Sequence, residues 1–125
     1  MKKLLLLIFC WALAGYSAYA QRKIDCANAT TQTELTLCAQ EEFTTTDKQL
    51  NALYNKVVAA CNAKERVALI KTQKSWLQYR DEHSEMVRST NEGGSIATMA
   101  SLNAKTLTTQ SRIKELQALL YQLSL

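Results

Sequence analysis

No proline occurs anywhere in this 125-residue chain, and only three glycines do, two of them adjacent at Gly93-Gly94. These are the residues that punctuate turns, so a chain so poor in them has few places to reverse direction. That favours a few long helices joined by short turns over a sheet of many strands. The length allows one domain.

The first twenty residues read as a separate unit. Lys2 and Lys3 make a short positive start, Leu4 to Ala14 an apolar run, and Ala18-Tyr19-Ala20 sets small residues where a signal peptidase reads them. A transmembrane helix needs about 20 apolar residues, and this run ends at Gly15 and Ser17. A lipid anchor at Cys10 is opposed by bulky Phe9 in front of it. The expectation is a signal peptide over residues 1–20, cleaved after Ala20, and a single domain over residues 21–125. Such a domain acts in the periplasm or is secreted, with no stable membrane insertion once the leader is gone.

Cleavage at that point leaves 13 basic and 11 acidic residues, a net of +2. So mild a balance argues against a nucleic-acid partner, which calls for a basic stripe and a far higher pI.

Within the domain, residues 21–30 read as an extended arm. Thr31-Gln32-Thr33-Glu34 has the capping-box pattern, in which each of Thr31 and Glu34 accepts from the other's backbone N–H. Leu35, Cys38, Leu50, Leu53, Tyr54, Val57, Val58 and Cys61 follow at largely helical spacing. One long helix to about Cys61 is favoured. Thr44-Thr45-Thr46 is a weak point, because three β-branched residues are poor helix formers, and a break there is the alternative. After Asn62-Ala63, a second helix is expected from about Lys64 to Arg88. Val67, Ile70, Lys74, Leu77, Arg80, Ser84 and Val87 lie down one side of it. Ser89 to Gly94 is the one obvious loop. A third helix starts near Ser95 and carries Ile96, Met99, Leu102, Leu107, Ile113, Leu116 and Leu120. Short connections make neighbours antiparallel, so the expected fold is all-α: an antiparallel three-helix bundle with its N-terminal arm stapled by a disulfide.

Helix geometry selects the staple. Cys38 would stand roughly 10 Å along the helix from Thr31, within the roughly 17 Å that five extended residues from Cys26 can span. Cys61 would stand about 45 Å away on a continuous helix, beyond the arm's reach. Cys26–Cys38 is therefore the expected bond. Cys61 is left as a buried thiol or an intermolecular bridge.

No catalytic constellation, cofactor loop or metal spacing is legible. His83 is the single histidine and has no local metal-binding pattern. Asp81 and Glu85 are an i,i+4 carboxylate pair, a spacing that far more often marks a solvated helix face than a glycosidase. What stands out is Trp76, Tyr79, Arg80 and His83, one ledge at i, i+3, i+4 and i+7. Trp, Tyr and Arg dominate interface hot spots. The ledge is either a partner-binding surface or, as is more ordinary, aromatic packing with Arg80 paired to a carboxylate such as Asp47. The Gly93-Gly94-Ser95 turn is a second candidate contact.

In order, Cys26-x4-Thr31-Gln32-x-Glu34-x3-Cys38, Asp47, Leu50-Asn51, Tyr54, Gln73-x2-Trp76-x2-Tyr79-Arg80-Asp81, Gly93-Gly94-Ser95 and Leu107-Thr108-x3-Arg112 resemble the LprI-type lysozyme-inhibitor domain. The resemblance spans Asp25 to about Leu119. It implies a small exported helical domain that is no enzyme and takes a protein partner, a lysozyme or another wall-active enzyme. It also marks a departure. Family members often carry a second cysteine pair where this chain has His83 and Asn103, and a proline after the Gly-Gly-Ser turn. A hydrogen bond between His83 and Asn103 is the expectation in its place. Animal-type lysozymes are strongly basic, so a domain of net +2 would meet one through a local acidic patch, such as Asp81, Glu82, Glu85 and Glu92.

Overall fold

A computed structural model describes residues 24–125, which places the expected signal peptide and its cleavage site outside the described residues. Three helices of 29, 27 and 27 residues follow one another: α1 (Gln32–Ala60), α2 (Ala63–Ser89) and α3 (Ala97–Leu123). Their starts are set locally. At α1 the Glu34 N–H donates to Thr31 Oγ1 at 3.2 Å and the Thr31 N–H donates to Glu34 Oε2 at 3.1 Å. At α2 the same exchange joins Asn62 and Glu65, at 3.0 and 2.8 Å. Each pair satisfies backbone donors that the first helical turn leaves unpaired.

The three threonines do not break α1. Thr44 Oγ1 donates to the Gln40 carbonyl at 2.8 Å and Thr46 Oγ1 to the Glu42 carbonyl at 2.9 Å. A hydroxyl bonded one turn back lets a threonine sit inside a helix without an unmet polar group. The helix is continuous, as favoured.

Extended backbone at Cys61 and Asn62 reverses the chain between α1 and α2. The longer α2–α3 turn uses Gly93 at φ +82°, with no other described residue at positive φ. The Asn91 side chain closes α2 by donating to the Val87 carbonyl at 3.0 Å. The third helix begins two residues later than expected, at Ala97, with no side-chain cap. The arm turns through Asp25–Asn28 and is bonded to α1 by Cys26–Cys38, Cα atoms 5.7 Å apart.

The helices run up, down and up. α3 packs along both of the others, while the backbones of α1 and α2 largely stay apart. The interior is divided along the bundle axis. At the α1–α2 turn lies the apolar core, where Leu50, Val57, Cys61, Leu69 and Leu116 are packed by Leu53, Tyr54, Ile113 and Leu120. Cys61 is a buried free thiol there. Toward the disulfide end the buried side chains turn polar or small, namely Thr46, Arg80, Ser84 and Thr106 with Ala39 and Ala104. That half encloses little hydrocarbon, and the covalent staple sits on it.

The line that α2 buries is the expected one only at Arg80 and Ser84. Leu69, Gln73, Arg80 and Ser84 face inward, whereas Val67 and Ile70 are 69% and 51% exposed. Arg80 and Gln73 can occupy the inward line because each has a partner inside the bundle.

Candidate functional site

The expected ledge on α2 divides into an inner and an outer part. Arg80 points inward: its side chain is 11% exposed, Nη1 donates to Asp47 Oδ1 on α1 at 2.9 Å, and Nε donates to Asp81 Oδ1 at 3.0 Å. Its guanidinium carbon lies 5.4 Å from the centroid of Phe43 and 5.3 Å from that of Trp76. Lys105 closes the layer from α3, with Nζ 3.6 Å from Asp81 Oδ1 and 5.7 Å from the Phe43 ring. One arginine therefore fills the space between α1 and α2 where the backbones stand apart. It does the packing work a large apolar residue would do, with its charge matched by carboxylates. Two turns along α2 toward its start, Arg112 Nε donates to buried Gln73 Oε1 at 3.1 Å and its Nη1 to Glu115 at 2.7 Å.

Trp76 is half-buried against the core and these two arginines. Tyr79 and His83 point out. Tyr79 is 56% exposed and its ring stacks on His83, centroids 5.7 Å apart. Tyr79 borders a shallow cleft of about 300 Å³ between α2 and α3, opposite Leu107, Ser111 and Glu115. His83 thus takes Tyr79 as its partner, and no hydrogen bond ties it to Asn103. Gly93, Gly94 and Ser95 are exposed at the tip of the bundle, along a second small cleft with Glu85, Arg88 and Glu92.

A concavity of about 650 Å³ was not legible from sequence. It lies between the arm, α1 and the start of α3, walled by Ile24, the disulfide, Leu35, Ala39 and Met99, with Glu41 and Glu42 beside them. No local motif marks it, because it exists only once the arm has folded back onto α1. The one signal was the pairing of Cys26 with Cys38.

Charge follows the same axis as the interior. The half holding the arm and the α2–α3 turn comprises residues 24–47 and 80–105, with nine acidic and three basic side chains, a net of −6. The half around the α1–α2 turn comprises residues 48–79 and 106–125, with eight basic and two acidic, a net of +6. Two of the three cations of the acidic half, Arg80 and Lys105, are turned into its interior layer. Of the anticipated patch, Asp81 is engaged by Arg80 and Lys105 and Glu85 lies 3.7 Å from Arg88. Among the described residues no group of histidine, cysteine and carboxylate side chains is arranged to hold a metal.

Fold and surface together define a class: a small three-helix domain, clamped by one disulfide, whose two ends carry opposite charge. Across residues 25–116 the chain matches the family described as Lysozyme inhibitor LprI, and it belongs to that family. The family is one of inhibitors and not of enzymes. The chain is also 32% identical over 128 residues to Uncharacterized protein R02472 of Rhizobium meliloti (strain 1021), a similarity covering 92% of this chain and 90% of that protein. No solved structure matches it.

Proposed function

We propose that this protein is exported and inhibits a lysozyme by binding it through the acidic end of the bundle. The observation that carries the reading is the division of charge. A net of +2 over the expected mature domain would repel a basic partner, but an end of −6 set apart from an end of +6 attracts one in a fixed orientation. The family's description as lysozyme inhibitors supplies the partner class, and its members are typically exported.

On this reading the contact surface has two parts at the same end. The Gly93-Gly94-Ser95 turn, exposed and flanked by Glu85 and Glu92, is the part that enters the partner's substrate cleft. The concavity beside Glu41 and Glu42 has an apolar lining and acidic neighbours, a combination suited to an arginine or lysine side chain of the partner. Tyr79 and His83 border this end and extend the contact along α2. Inhibition then needs no chemistry from the inhibitor: occupying the cleft excludes the wall polymer.

The test is a titration of the protein, as recovered from its cell envelope, against hen-type lysozyme clearing a suspension of cell walls. Stoichiometric loss of lysis, weakening as salt is raised, is the expected result. Undiminished lysis, with another wall-active enzyme captured from a periplasmic extract, would replace lysozyme with that enzyme. Release of wall fragments by the protein alone would overturn the inhibitor reading.

A further inference from the structure

The opposite end has a surface that partner binding at the acidic end leaves unused. From Arg66 to Arg80, α2 contains no acidic residue. Within that stretch Val67, Ile70 and Leu77 stand 69%, 51% and 39% exposed. Spacings of three and seven put them, with Lys74, on one strip of the helix, and exposed Arg66 and Lys71 flank it. Scattered surface hydrophobics need no explanation. Three on a single strip among cations is the pattern of a helix face that lies in an anionic interface.

We infer that this face of α2 adsorbs to an anionic phospholipid membrane, with Val67, Ile70 and Leu77 reaching the headgroup boundary while Arg66, Lys71 and Lys74 meet lipid phosphates. The charge excludes the rival occupants. A basic lysozyme is repelled by an end of +6. A second copy paired through a two-fold axis would set each of these cations against its own kind, because such an interface matches a patch with itself. The attachment is adsorption and not insertion, since no helix among the described residues is long and apolar enough to cross a membrane.

Sedimentation with vesicles tests it, using the protein recovered from its envelope with its N-terminus fixed by intact mass. Phosphatidylcholine vesicles containing phosphatidylglycerol should carry the protein down at low salt, and pure phosphatidylcholine vesicles should carry far less. Lys71→Glu with Lys74→Glu should weaken that partition by about tenfold or more. Val67→Ser with Ile70→Ser should weaken it by about tenfold. Both double variants should melt where the parent does, as expected for exposed positions, and inhibit lysozyme as the parent does, which separates this inference from the function proposed above. Equal partition into both vesicles, no partition, or partition untouched by either double variant would overturn it. So would retention on an immobilised anionic wall polymer without vesicle binding, or a concentration-dependent dimer that the variants abolish.

Discussion

Arg80 is the residue that ties together the half of the bundle nearer the disulfide. Nearly buried, it joins α1 to α2 through Asp47 and lies over two aromatic rings. Removing one partner of a buried pair leaves the other charge uncompensated and costs about 3–5 kcal/mol. Asp47 retains 34% exposure, so water can recover part of that loss. Arg80→Ala is expected to lower unfolding stability by about 2–3 kcal/mol in chemical denaturation. Asp47→Ala should cost less, about 1–2 kcal/mol, because Arg80 keeps Asp81. Equal losses in the two variants would show that the pair alone, and not the aromatic packing around Arg80, sets the energy. Tyr79→Ala should shift stability by no more than about 0.5 kcal/mol, since the side chain is mostly outside the bundle. The choice left open in the sequence, ledge or packing, is thus decided separately for each residue: Arg80 packs, Tyr79 and His83 face out.

At the scale of elements, the staple and the caps hold what the core does not. The Cys26–Cys38 bond closes a loop of 12 residues on the half with the polar interior. Reduction, or Cys26→Ser with Cys38→Ser, is expected to cost about 3 kcal/mol in denaturant melts. Hydrogen exchange should then show the first turns of α1 opening ahead of residues 50–60, which pack on the apolar core. Thr31→Ala and Asn62→Ala each remove an observed cap and should cost about 1 kcal/mol. The Thr31 box and the disulfide were legible because they are local, the one needing four consecutive residues and the other only the reach of a short arm, whereas the matching box of Asn62 and Glu65 was passed over as a short turn. The continuity of α1 was harder to read, because whether Thr44 and Thr46 break a helix depends on hydroxyls that bond one turn back. The inward line of α2 was read only in part, with Arg80 and Ser84 on the expected side but Leu69 and Gln73 in place of Val67 and Ile70, for a different reason. Hydrophobicity sets the phase of a helix only when its buried residues are apolar, and here Gln73, Arg80 and Ser84 are buried with partners of their own.

For the whole molecule, the net charge conceals the property that matters. Acidic and basic residues alternate in blocks along the chain, and only the up-down-up path gathers the blocks into two opposed ends. The patch anticipated at Asp81, Glu82, Glu85 and Glu92 was therefore a fragment of a larger acidic end that includes Glu41 and Glu42 from α1. A polar molecule of this kind steers an oppositely charged partner before contact, so its association should slow as salt rises. The most direct test compares inhibition of hen-type lysozyme by the parent protein and by two charge reversals of equal size. Glu85→Lys with Glu92→Lys alters the acidic end; Lys71→Glu with Lys74→Glu alters the basic one. The expected result is inhibition weakened by about tenfold or more in the first variant and unchanged in the second, with both melting like the parent. Equal inhibition by all three proteins, or a loss confined to the basic-end variant, would contradict binding through the acidic end.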